Sequence, residues 1–141
     1  MIDGSNDLYL TKDHDYLSQV LGEYEMAPDN KTWVNVEGNL MFRLGDDVGL
    51  ATYDYPGMYT VHWFFKSRGK AAIKTAIVML NEVFTNYKAE IVRGIIALDN
   101  KPSVFLSRYV GFERISVEDF SDGPNEVILL TKSAFNKKVN L

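Results

Sequence analysis

The chain has no cysteine, which excludes disulfides, thiolate metal sites and a cysteine nucleophile. Only two histidines stand beside that absence, so no soft-metal cofactor site is expected. No apolar run approaches the roughly 20 residues that cross a bilayer, and no membrane partner is expected. Basic charge is not in excess either. Lys and Arg number 15 against 19 Asp and Glu, a formal net charge of -4, which leaves no general electrostatic footprint for nucleic acid. The start, Met1 to Asp7, is polar and acidic where a secretory signal is basic and then apolar, so the expected location is cytoplasmic. Gly-x-Ser-x-Gly elbows, phosphate loops ending in Gly-Lys-Ser/Thr and His-Glu-x-x-His zinc motifs are missing too.

What is present suits one packed unit. A chain of 141 residues with 46% hydrophobic and 13% aromatic residues is long enough for a sizeable core, and with no linker or repeat it reads as a single domain over 1–141. A short strand is expected at Asn6 to Thr11, then a helix from Asp13 to Glu23 with Asp13 as N-cap. Met26 to Glu37 is harder to place: Pro28, Asp29 and Asn30 signal a turn, and Thr32 to Val36 has extended character. From Asn39 the period is two. Leu40 to Leu44, Val48 to Asp54 and Met58 to Phe65 form an antiparallel meander. Ala72 to Tyr87 then follows the i, i+3, i+4, i+7 rule of an amphipathic helix. Ile91 to Leu98 is an apolar run expected to be buried on both faces. Asp99-Asn100-Lys101-Pro102 sets a capping side chain ahead of a first-turn proline and opens a helix to about Val110 that Gly111 stops, and Phe112 to Val117 and Glu126 to Lys132 close the chain as strands around an Asp119 to Asn125 turn.

The junction Phe64-Phe65-Lys66-Ser67-Arg68-Gly69-Lys70-Ala71-Ala72-Ile73 carries the chemistry. There an aromatic strand passes through an Arg-Gly turn directly into a helix. First-turn amides have no acceptor inside their own helix, and the helix dipole favours an anion at that end, so this junction suits a pyrophosphate. The plainer alternative is a strand-to-helix turn whose basic residues Lys66, Arg68, Lys70 and Lys74 are merely solvated. A third reading, Trp63, Phe64 and Phe65 stacking single-stranded nucleic acid, fits the acidic surroundings less well.

This order of elements, with these residues at its joints, resembles the GNAT N-acetyltransferase superfamily. Specific matches lie between Val61 and Phe112. Arg68-Gly69-Lys70 resembles the start of the family's Arg/Gln-x-x-Gly-x-Gly/Ala loop; Ala71 then replaces a glycine and Ile73 a small residue. Asn100 and Gly111-Phe112 stand at the spacing of the family's Asn-x-x-Ala-x-x-x-Tyr-x-x-x-Gly-Phe signature, with Ser107 where the tyrosine is expected.

The resemblance implies an α+β fold: a mixed, mainly antiparallel twisted sheet with helices on both faces, its fourth and fifth strands splayed into a cleft. It implies direct acetyl transfer from acetyl-CoA to an amine, a small molecule or a protein. Trp63, Phe64 and Phe65 would lie along the pantetheine, Arg68, Gly69, Lys70, Ala71, Ala72 and Ile73 around the pyrophosphate, and Asn100 at the cleft. For the proton transfers, His62 is the candidate base because histidine titrates near neutrality, its alternative being a structural hydrogen-bonded residue. Ser107 falls at the acid's place, although a serine hydroxyl is a far weaker acid than a phenol. Tyr109, two residues on and about 200° round a helix, would serve only if the helix were shifted, and otherwise is a packing or surface aromatic. His14, Glu37 and Asp54 read as surface residues with weaker claims as bases. A second, looser resemblance is to bacteriophage-encoded acetyltransferase-like proteins. It implies the alternative of a catalytically degenerate GNAT-fold binding or assembly protein, associated with the phage head or virion.

Overall fold

Period-two alternation builds one seven-stranded sheet, seen in a computed structural model that describes residues 7–139. The polar start at 1–6 lies outside that span. Strands β1 (Tyr9–Leu10), β2 (Leu40–Leu44), β3 (Asp47–Tyr55) and β4 (Met58–Phe64) are successively antiparallel. Strand β5 (Ile91–Ala97) lies parallel to β4, and β7 (Gly123–Thr131) is inserted antiparallel between β5 and β6 (Glu113–Phe120). The helices are α1 (His14–Leu21), α2 (Asn30–Asn35), α3 (Lys70–Thr85), α4 (Lys101–Val110) and α5 (Lys132–Val139).

Because successive strand residues point to opposite faces, the sheet carries two cores. On one face Leu40, Phe42, Ala51 and Val61 pack against Met79, Leu80 and Val83 of α3, Leu106 and Val110 of α4 and Phe135 of α5. On the other, Met41, Val48 and Leu50 meet Leu17 and Leu21 of α1 and Trp33 and Val34 of α2. The expected α+β sheet with helices on both faces is therefore the observed one.

Three local expectations need correction. Thr32 to Asn35 is helical rather than extended, and only Val36, at the end of the helix, keeps extended backbone. Asp29 caps α2, accepting from the Thr32 amide at 2.8 Å and the Thr32 hydroxyl at 2.9 Å, and Trp33 and Val34 are buried beside α1. A cap and tertiary packing thus outweigh the strand preference of Thr, Trp and Val. At the other end the last strand stops at Thr131, whose hydroxyl accepts from the Ala134 amide at 3.1 Å, and α5 follows unanticipated. It is held by Phe135, fully buried with its ring 5.2 Å from that of Phe84. The third correction concerns β5, where Ile95, Ile96 and Ala97 are only half-buried.

That half-burial has a structural cause. Strands β4 and β5 pair at Met58–Ile91, Tyr59–Val92 and Thr60–Arg93 and then part. Beyond the fork β4 stays paired with β3 as far as Phe64, and β5 with β7 as far as Ala97, so only their facing edges open. A polar knot marks the fork: the Thr60 hydroxyl donates to Asp54 Oδ2 at 2.6 Å and accepts from Arg93 Nε at 3.0 Å.

Helix α4, which follows β5, is tied to the sheet by a buried carboxylate. Glu126 of β7 is fully buried, and accepts from Arg108 Nη1 and Nη2 at 3.0 and 2.6 Å and from Arg114 Nε at 2.9 Å. Burial would raise its pKa, but the bonds and charges of Arg108 and Arg114 prevail and hold it below the ordinary 4.5. A lowered folded-state value means that this contribution is complete above the unfolded value near 4.5 and is lost as pH falls through the folded one. Thermal unfolding from pH 7 to pH 3 should therefore show Glu126→Gln less stable by about 2 kcal/mol at pH 7, with the gap to the native chain closing below pH 4.5. A gap that stays constant across the range would refute the assignment.

Candidate active site

The fork opens into two adjoining cavities of about 450 and 650 Å³ that share Trp63, Phe64, Asn100 and Ser103. The smaller lies toward the start of α3, against Phe65, Arg68, Gly69, Ala72 and Ile73, and is closed by Pro102, Phe105 and Leu106 of α4. The larger lies between the parted strands, against His62, Gly94, Ile95 and Tyr24, and is bounded by Phe120, Ser121 and Asp122 of the β6–β7 hairpin. Strand alternation sorts the aromatics: Trp63 and Phe65, with rings 5.2 Å apart, pack toward α3, while Phe64 packs toward α1 and α2 and lies 6.3 Å from Tyr24.

The loop between β4 and α3 is held from both sides. Asp47, buried at the start of β3, accepts from the amides of Lys66 and Ser67 through Oδ1 at 2.7 and 2.9 Å, and from the Thr75 hydroxyl of α3 through Oδ2 at 3.2 Å. The Arg68 guanidinium turns back and donates to the carbonyls of Phe65 and Ser67 at 2.6 and 2.9 Å. Loop amides and loop carbonyls are both engaged, so the segment enters α3 in one fixed course. Gly69 completes the turn with φ of 60° and ψ of -133°, a region that disfavours any side chain.

Helix α3 then begins without a side-chain cap, whereas α1, α2 and α4 are capped by Asp13, Asp29 and Asn100. Its first-turn amides are orphan donors at the positive end of a 16-residue helix, with Lys66 and Arg68 beside them on the cavity wall. Ile73 is half-buried, packs against the core and forms part of that wall.

The sequence-predicted residues divide accordingly. Trp63, Phe64, Phe65, Arg68, Gly69, Ala72, Ile73 and Asn100 line the smaller cavity, and His62 lines the larger. Lys70 and Ala71 stand exposed on the first turn of α3. Ser107 and Tyr109 line neither cavity. Ser107 is sealed inside with no hydrogen-bond partner for its hydroxyl among the described residues, and Tyr109 is on the outer surface of α4 with its ring 6.1 Å from that of Phe105. On a regular helix these two positions point into the core and into solvent, so the geometry removes both from the cleft.

His62 is half-buried, and no hydrogen bond among the described residues engages its ring. Burial first, and the positive Arg93 second, lower its pKa below 6.5 against the opposing pull of Asp54, so the imidazole is neutral at neutral pH. A neutral imidazole can accept a proton. Sequence reading missed Asp47 and Tyr24. Asp47 sits in a turn-forming Gly-Asp-Asp run, where an anchoring acid has no mark of its own, and Tyr24 lies in a segment with no recognisable pattern.

No protein-family model matches the chain, and no curated protein matches it in sequence. Solved structures do match in shape. Spermidine N-acetyltransferase SpeG from Vibrio cholerae aligns with a TM-score of 0.78 at 13% identity, over 94% of this chain and 98% of that one. Aminoglycoside acetyltransferase AAC(6')-Ib, solved with coenzyme A and kanamycin, aligns with a TM-score of 0.70 at 15% identity, over 94% and 98%. The fold is the GNAT fold. An uncharacterised protein of Bacillus halodurans shares it too, with a TM-score of 0.73 at 12% identity over 99% and 93%.

The loop clamp is testable without any ligand. Amide exchange at Lys66 and Ser67 should speed up at least tenfold in Asp47→Ala. Asp47→Asn, which keeps an acceptor oxygen for both amides, should leave it nearly unchanged. Equal protection in all three proteins would remove the clamp.

Proposed function

We propose that the chain is an N-acetyltransferase that moves the acetyl group of acetyl-CoA directly to an amine. The observation that carries this reading is the continuity of the open β4 edge with the uncapped start of α3. Beyond Thr60 the free edge of β4 offers peptide donors and acceptors to a ligand that itself contains amide groups, as an added strand would. The same edge runs through the clamped loop to the orphan amides after Gly69, where a diphosphate would be held. The cavities are concave, mostly apolar and of ordinary ligand size. Three features thus suit the three parts of acetyl-CoA: edge amides for the pantetheine, helix amides with Lys66 and Arg68 for the diphosphate, and the fork for the thioester. The GNAT-fold structures with coenzyme A bound support the same choice.

An amine attacks only as its free base. In this reading neutral His62 takes the amine proton directly or through one water, the nitrogen bonds to the thioester carbon, and the carbon–sulfur bond breaks. Strand amides facing the fork would polarise the carbonyl. The departing thiolate needs a proton, and α4 contributes no phenol for it. Tyr24 is the phenol that lines the cleft among the described residues. The sealed Ser107 hydroxyl favours one second reading: a GNAT-fold binding or assembly protein that has kept the cleft and lost the turnover.

Calorimetry with acetyl-CoA should give micromolar binding, and a panel of amines should include one that releases free coenzyme A thiol. Binding without thiol release from any amine would favour the second reading, and absence of binding would defeat both cofactor roles. His62→Gln should lower kcat about 100-fold with the acetyl-CoA Kd unchanged. Since the His62 pKa is lowered, the native rate should fall only below pH 6.5 as the ring gains a proton, and the variant should lose that limb. An unaltered pH profile in His62→Gln would exclude the histidine as base.

A further inference from the structure

Helix α4 displays two large aromatic side chains that no core explains. Its inner face is accounted for by Leu106, Ser107 and Val110, all buried. Its outer face carries Phe105, 64% exposed, and Tyr109, 51% exposed, one turn apart with rings 6.1 Å from each other. Single exposed apolar residues are ordinary, but a contiguous aromatic pair marks a surface that is covered in function. Its position indicates by what. Phe105 lines the smaller cavity, on the wall formed by α4, and the wall formed by Gly69, Ala72 and Ile73 at the start of α3 faces the same space.

We propose that Phe105, backed by Tyr109, is the stacking platform for the adenine base of coenzyme A. The inference rests on the reading of the α3 N-terminus as the diphosphate site. From a diphosphate held there, the nucleotide half of the cofactor must leave the cavity away from the fork, because the pantetheine half occupies the open β4 edge. Phe105 belongs to the wall of that same cavity and is 64% exposed, so its ring is available to the part of the ligand that leaves it. A flat π face offered to solvent on that wall, with a second ring behind it, suits a purine, and stacking needs no base-specific hydrogen bond from the protein. The partner is therefore identified by its chemistry as an aromatic base attached to a diphosphate. A protein partner covering the same rings is the outcome that the test must separate.

NMR titration, which measures affinities into the millimolar range, compares coenzyme A with 4′-phosphopantetheine, the cofactor without its 3′-phosphoadenylyl half; because the comparison is between variant and native protein for each ligand, the missing second phosphate cancels. Phe105→Ala should weaken coenzyme A about tenfold and leave 4′-phosphopantetheine within twofold of the native protein. Phe105→Tyr should restore coenzyme A binding, because it keeps the ring. The exposure of Phe105 makes misfolding of these variants no concern, and thermal unfolding checks that directly. Native-like coenzyme A binding by Phe105→Ala overturns the platform and leaves the rings to a protein partner; equal losses for both ligands also overturn it. A native protein that binds no coenzyme A overturns the cofactor reading itself, and the platform with it.

Discussion

The end of pairing between β4 and β5 at Thr60 and Arg93 is the constraint on which the rest of the molecule turns. A buried sheet edge with unpaired backbone groups is costly, so a sheet that opens in its own middle needs something in the opening to satisfy them. Here the parted edges remain fully paired on their outer sides, to β3 and to β7. The gap thus lies between two half-sheets, each paired along its other side. It is set in place by the Asp54–Thr60–Arg93 knot at the fork and by Glu126, which fastens α4 to β7 on the far side.

A fork supplies a groove, and the loop after β4 supplies its polarity. With the amides of Lys66 and Ser67 committed to Asp47, and the carbonyls of Phe65 and Ser67 to Arg68, the orphan donors of this segment gather about Gly69 and the uncapped start of α3. The loop therefore concentrates its unsatisfied donors at one place. Arg68 acts within this arrangement as a brace for the loop as much as a charge for a ligand. This also bears on the two residues that depart from the GNAT loop pattern, Ala71 and Ile73. Alanine at 71 stands exposed on the first turn of α3, and isoleucine at 73 packs against the core while still forming cavity wall.

Much of this was legible in the residues. Period-two runs marked the meander, the 3.6-residue period marked α3, and Asp13, the Asp99-Asn100-Lys101-Pro102 run and Gly111 marked helix ends that the structure has in those places, with Asn100 as the capping side chain. The loop from Arg68 and the parity of Trp63 and Phe65 against His62 and Phe64 were readable for the same local reasons. The failures share a cause in long-range contact. Thr32 to Asn35 is helical because α1 buries Trp33, and α5 exists because Phe84 receives Phe135. Asp47 earns its role from residues 19, 20 and 28 positions away in the chain. Ser107 was carried to the site by motif spacing alone and Tyr109 as a displaced substitute for the missing phenol, and helix geometry sends one inward and the other outward.

The most direct test of the account is an amide NMR titration of the native protein with coenzyme A. The account predicts large shifts at Trp63 and Phe64 on the open edge and at Gly69 to Ala72 on α3, with Lys66 and Ser67, already bonded to Asp47, moving little. Shifts confined to the outer surface, with Gly69 to Ala72 unmoved at saturation, would contradict it.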